Sequence, residues 1–116
     1  MRRVFLGTDG GATTSKVGAV WSDGAIVSTA LLQRPTRAEA GPRAVVDTWI
    51  DGATDFLELN GLGWEDVAGV GLSIPGPFQR YGVFDKSPNL PASFIGFDVH
   101  TSYSRALEVR AGHPLP

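Results

Sequence analysis

Directly behind the apolar run Val4-Phe5-Leu6, residues 8–16 read Thr-Asp-Gly-Gly-Ala-Thr-Thr-Ser-Lys. A carboxylate, two glycines, three hydroxyls and an ammonium in that order suit one chemistry in particular. Glycine tolerates positive φ and lets a ligand approach main-chain N–H groups. A polyphosphate would take those donors together with Thr13, Thr14, Ser15 and Lys16, and backbone concavities of this type bind anions. Asp9 would suit the hydration shell of Mg²⁺, which keeps several waters and binds through one or two carboxylates. Taken alone, the same residues also fit a hairpin turn with a solvated polar tip, since Gly-Gly is common in such turns.

Two further segments carry chemistry-bearing residues. Val70-Gly71-Leu72-Ser73-Ile74 runs into Pro75-Gly76-Pro77, a rigid turn at a strand end, and Ser87-Pro88-Asn89-Leu90-Pro91 follows. The Asn89 amide both donates and accepts, which suits a hydroxyl ligand, although asparagine beside prolines is equally a turn residue. Asp98 stands at the entry to a helix and has a sufficient explanation as its N-cap. His100 and His113 are isolated from other ligating residues and are not expected to bind metal.

These residues need elements to hold them. Residues 3–8 read as a central strand, nearly continuous in apolar character and therefore covered on both faces. Ser15 to Trp21 form a second strand with Val17, Ala19 and Trp21 on one face. Ser22-Asp23-Gly24 is a turn, and Ala25 to Leu32 make a third strand of an antiparallel meander. A polar connector, Arg34 to Gly41, precedes a helix starting at Pro42, where the missing N–H costs nothing. Val45, Trp49, Ala53, Phe56 and Leu57 recur at helical spacing, and Asn60-Gly61 supplies the stop. Trp49 and Trp64 are read as packing residues.

Val67 to Ile74 is a fourth strand, in which Gly69 and Gly71 mark close packing or ligand approach. From Phe78 to Phe97 the chain is loop-rich, with a short hairpin around Arg80-Tyr81-Gly82; long structured loops in compact domains are usually functional. A closing helix over His100 to Ala111 uses Tyr103, Leu107 and Val109 for its apolar contacts. A parallel strand needs a crossover partner, so another strand is expected after Pro116, and the domain reads as incomplete at its C-terminus.

Composition excludes several classes. The chain has 116 residues, enough for one domain with a hydrophobic core and short for a two-lobed enzyme. Its net charge is −2, and Arg2-Arg3 is its one adjacent basic pair, which is not the footprint of a nucleic-acid binder. It has no cysteine, so thiolate metal sites, thiol nucleophiles and disulfides are excluded; this fits a cytoplasmic protein. No apolar run approaches the about 20 residues of a membrane span, and Gly7 ends the first apolar run well short of a signal-peptide core.

In order and spacing, three segments resemble the N-terminal lobe of actin-like sugar kinases, specifically the family that groups bacterial repressors, open-reading-frame proteins and kinases (ROK). Asp9-Gly10-Gly11-Ala12-Thr13-Thr14-Ser15-Lys16 is similar to the first phosphate motif, D-x-G-x-T. Residues 70–77 are similar to the G-x-G-x-P-G-P strand end. Ser87-Pro88-Asn89-Leu90-Pro91, with Phe97-Asp98-Val99 behind it, resembles the P-N-L-P segment ahead of a helix. The resemblance spans essentially the whole chain.

It implies an α/β fold of the ribonuclease H-like, actin-like ATPase class, a mixed sheet of three antiparallel strands plus a parallel one. It implies that Asp9 holds Mg²⁺ through water, that Gly10, Gly11, Thr13 and Thr14 line the loop for the β- and γ-phosphates of ATP, and that Gly76 and Asn89 edge a hexose site. Lys16 is included with the phosphate residues, although it falls later than the lysine of the usual family motif. The family's general-base aspartate, its zinc motif and its adenosine motifs are expected beyond residue 116, so no catalytic base and no zinc site are assigned within the chain. The implied activity is phosphoryl transfer from MgATP to a sugar, absent from this segment alone. A non-catalytic sugar-sensing regulator and an actin-like ATPase activator remain as alternatives. Nucleic acid and membrane are not expected partners, and an unfinished sheet leaves a homodimer open.

Overall fold

A computed structural model describes residues 2–74, 76, 78–86 and 90–116. Its main sheet has four strands in the order β3-β2-β1-β4. β1 (Val4–Gly10) pairs antiparallel with β2 (Thr14–Trp21) and parallel with β4 (Val67–Ser73). β3 (Leu32–Pro35) lies outside β2. The crossover from β3 to β4 is α1 (Pro42–Leu59). A small hairpin, β5 (Phe78–Arg80) and β6 (Val83–Phe84), precedes α2 (Val99–Ala111). The mixed sheet, the hairpin and both helices therefore match the sequence expectation in kind and order.

The core lies between one sheet face and α1. Val4, Leu6, Val17 and Val67 meet Val45, Trp49, Ala53 and Phe56, all buried. Burying side chains of this size contributes about 1.5–3 kcal/mol each, which is why the helix forms here despite three aspartates along it. Pro42 occupies its first turn as expected, and Gly61, at φ 70°, turns the chain out after Asn60. α2 docks on α1 through Tyr103, whose ring meets Trp49 edge-on at 5.9 Å and 88°. Arg110 reaches Asp51 at 2.8 Å, and Arg34 of β3 reaches Asp55 at 2.7 Å; such exposed pairs contribute little beyond orientation.

Three expectations are corrected. β1 is not covered on both faces: its burial alternates strictly, and Phe5 is 45% exposed. Both helices pack on the same side, and among the described residues the opposite face, carrying Phe5, Val20, Ile26 and Leu31, is open. The third strand is not Ala25 to Leu32 but Leu32–Pro35, so it keeps only Leu32 of the expected strand and takes Arg34 and Pro35 from the segment read as a connector. Residues 25–27 touch β2 through the Val20–Ile26 bridge, the Trp21 N–H donated to the Ala25 carbonyl at 2.7 Å and one Val27 N–H bond to Ala19, too short a run to make a strand. The Ser28 hydroxyl then accepts the Ala30 N–H, a local bond that competes with the ladder. Pairing resumes at Leu32, past the point where the Leu31 side chain lies over Gly18. Finally, Val109 makes no core contact and is 83% exposed, while Val99, Tyr103 and Leu107 carry the buried face of α2.

Candidate functional site

Because β1 and β4 are parallel, their C-terminal ends arrive at the same edge, with Asp9 beside Ser73 in the register. The β1–β2 turn opens from that edge. Asp9 lies on the open sheet face and is exposed, as are Thr13 and Thr14. Lys16 is the direct cross-strand partner of Asp9, and both line the same trough with Gly7, Gly18 and Ser73. An ammonium and a carboxylate thus stand side by side where the turn presents its hydroxyls. Gly76 is exposed just beyond the end of β4, at this same edge. Asn89 lies outside the described residues, as do Pro75 and Pro77.

The two glycines of the turn are needed for space rather than for unusual backbone angles. Neither Gly10 nor Gly11 has a positive φ. A Cβ on Gly10 would lie 2.6 Å from Cζ2 of Trp49, and one on Gly11 would lie 2.6 Å from the Thr14 carbonyl oxygen. The turn is therefore pressed onto α1 beneath it. Gly69, in β4, is less crowded, a Cβ there lying 3.2 Å from Cδ1 of Phe5, and Gly71 faces open space.

Under the turn runs a buried chain of hydrogen bonds that the sequence did not disclose. The Trp49 indole N–H donates to the Ser15 hydroxyl at 2.9 Å, Ser15 and Thr36 hydroxyls are 2.6 Å apart, and Thr36 Oγ1 donates to the Gly11 carbonyl at 2.7 Å. The proton order follows from chemistry. The carbonyl only accepts, so Thr36 gives it its one proton; Ser15 must then donate to Thr36, and receives from the indole, which only donates. The Thr36 N–H also donates to the Thr13 carbonyl at 2.9 Å. Trp49 had a packing signal; Thr36 had none, because its partners are far away in sequence.

Two other polar groups have distinct settings. Asp98 caps α2, accepting from the Thr101 N–H at 3.0 Å and hydroxyl at 2.9 Å. The Thr101 backbone bond, then its hydroxyl, hold the Asp98 carboxyl below its ordinary pKa. Burial pushes the Tyr103 phenol up to about 12, partly offset by the neighbouring Thr8 hydroxyl. Neither Tyr103 Oη nor Thr8 Oγ1 has a partner in hydrogen-bonding geometry among the described residues.

Mg²⁺ fits Asp9 as an outer ligand. Among the described residues no group of three or more His, Asp or Glu side chains gathers, yet Mg²⁺ bound with a nucleotide needs only one or two carboxylates, the rest being water and phosphate oxygens. Among the described residues no helix is long and apolar enough to cross a membrane.

No family model and no curated protein matches the sequence. Solved structures do. The chain is similar to a ROK hexokinase from Thermus thermophilus, at 28% identity and a TM-score of 0.67, over 99% of this chain and 34% of that one. It is similar in fold to an inorganic polyphosphate/ATP-glucomannokinase from an Arthrobacter strain, at 23% identity and a TM-score of 0.67, over 98% of this chain and 43% of that one. It also resembles in fold a ROK-family glucokinase from Streptomyces griseus in complex with glucose and AMPPNP, at 22% identity and a TM-score of 0.63, over 97% of this chain and 31% of that one. The chain thus spans between about a third and two fifths of the length of these kinases. The likeness runs along the whole of the described architecture and agrees with the three motifs: the chain has the fold of the N-terminal lobe of the ROK-family sugar kinases.

Proposed function

We propose that this chain is the N-terminal lobe, one domain over residues 1–116, of an ATP-dependent sugar kinase that transfers a phosphoryl group to a hexose hydroxyl. The observation that carries the reading is the meeting of Asp9, the exposed Thr13-Thr14 turn and Lys16 at the common C-terminal edge of β1 and β4, on a fold shared with ROK sugar kinases. Bound MgATP would supply the phosphoryl group, and such transfer rests on positioning and charge stabilisation rather than on covalent chemistry by the protein. In this proposal Asp9 orients the hydrated Mg²⁺, the turn from Gly10 to Thr14 cradles phosphate oxygens, and Lys16 neutralises their charge. Gly76 and Asn89 would border the hexose. Asp98 is occupied as a helix cap, so the proton of the attacking hydroxyl is assigned to a carboxylate outside these residues.

On this reading the 116-residue chain alone turns over no sugar, since loss of the general base by itself typically costs about 10²–10⁴-fold. The setting would be the cytoplasm, and association through the open sheet face leaves a homodimer as one form. The test is hexose-dependent ATP consumption by this lobe joined to a kinase second lobe, compared with its Asp9→Ala variant. Sugar-stimulated turnover that collapses in Asp9→Ala supports the kinase. ATP hydrolysis indifferent to sugar favours an ATPase activator, and sugar binding without ATP consumption a regulator.

A further inference from the structure

Trp49, Ser15 and Thr36 are all at least nine-tenths buried and lie beneath the candidate phosphate turn, none of them facing the trough beside Asp9. Their hydroxyls and indole form a single file ending on the Gly11 carbonyl. Every donor and acceptor in that file has one role, because reversing any bond would leave the carbonyl facing an oxygen lone pair. The Thr36 N–H holds the Thr13 carbonyl as well, so one residue fastens the turn at both ends of Gly11-Ala12-Thr13. Immediately after it, Arg37 takes a left-handed conformation, φ 56° and ψ 52°, alone among the described non-glycine residues. A non-glycine residue persists there only when its surroundings over-determine it. Thr36 is thus tied to the turn through both its N–H and its hydroxyl.

Carbonyls drawn inward leave the N–H groups of the same peptides turned the other way. We propose that Thr36 and the Trp49–Ser15–Thr36 file are a positioning device: the file ties the Gly11 carbonyl to Trp49 of α1, the Thr36 N–H ties the Thr13 carbonyl to the chain just past β3, and together they present the amides of the turn to a polyphosphate anion. The inference rests on the phosphate reading of the turn. Thr36 and Ser15 are positioning residues, acting through Gly11 and Thr13 without touching the anion. The file also explains why Gly10 must be glycine: the indole that starts it occupies the space of a Cβ at that position.

The test uses the 116-residue chain, inorganic triphosphate with Mg²⁺ as the probe, and amide NMR as the readout. Thr36→Val keeps the shape and removes the hydroxyl, stranding the Gly11 carbonyl and the Ser15 proton. Exchange of the amide at position 36 should quicken relative to the core strands, and triphosphate affinity should fall about tenfold, the size of one lost buried hydrogen bond. Thr36→Ser, which keeps the hydroxyl, should restore both. Trp49→Phe, which removes only the far donor, should give a smaller loss in the same direction. Wild-type exchange and affinity in folded Thr36→Val overturn the proposal; if that variant does not fold, a Thr36→Ser that fails to match wild type in affinity overturns it instead. Absence of any triphosphate response in the wild-type chain sinks the phosphate reading itself, and is told apart because exchange at position 36 needs no ligand.

Discussion

Asp9 and Lys16 are directly opposed across the β1–β2 ladder, and both project onto the open face of the sheet. The sequence places the lysine too late for the usual motif, but the ladder folds it back beside the carboxylate.

That opposition sets how Mg²⁺ should matter. On the proposed reading Asp9 would repel free triphosphate and need the cation to bridge it, whereas Lys16 would attract the anion directly. Asp9→Asn should therefore make triphosphate binding less dependent on Mg²⁺, and Lys16→Met should weaken binding several-fold with or without it, a size typical of one exposed charge contact. Calorimetric titrations with and without Mg²⁺ check this; an unchanged Mg²⁺ dependence in Asp9→Asn removes the metal role from that residue.

Gly10 and Gly7 separate space from backbone freedom. Gly10→Ala forces a methyl into Trp49 and should destabilise the fold by roughly 1–3 kcal/mol, the usual cost of overpacking. Gly7→Ala meets nothing within 4 Å and should be neutral. Urea unfolding midpoints compare the two, and equal midpoints would contradict the close approach of the turn to α1.

Tyr103 should govern alkaline stability. Its phenol is raised from 10.0 to about 12 by burial, so the neutral form is favoured in the folded chain. The contribution is fully present below about pH 10 and is lost as pH rises through about 12, on the order of 3 kcal/mol in all. Tyr103→Phe should abolish that loss while keeping neutral-pH stability, because the hydroxyl it removes has no hydrogen-bond partner among the described residues. Unfolding followed from pH 9 to 12 decides it, and an identical alkaline slope in the variant counts against the buried phenol.

Asp98 should govern the acid side. Its folded pKa lies below its ordinary value of 3.8, so the cap is intact above that value and is lost as pH falls through the depressed one. Asp98→Asn should retain the cap and flatten the acid dependence, while Asp98→Ala should lower stability at neutral pH. Helix content by circular dichroism between pH 2 and 7 measures both.

What the sequence determined by itself is the set of features written in local pattern. The α1 stripe from Val45 to Leu57, the Pro42 start, the Gly61 stop, the Asp98 cap and the β1-turn-β2 unit all depend on neighbours within a few residues, and periodicity and turn chemistry expose such features. Three motifs in order also carried the likeness to a sugar-kinase lobe. Tertiary structure decided what depends on distant partners. It left the Phe5 face open, because both helices chose the other side. It moved the third strand from residues 25–32 to Leu32–Pro35, because Ser28 closed a local bond and the ladder resumed one turn later. It also drew Trp49, Ser15 and Thr36 together under Gly11 across separations of 34 and 21 residues. A buried hydroxyl has no periodic signature, and its meaning exists only once the strand and the helix around it have packed.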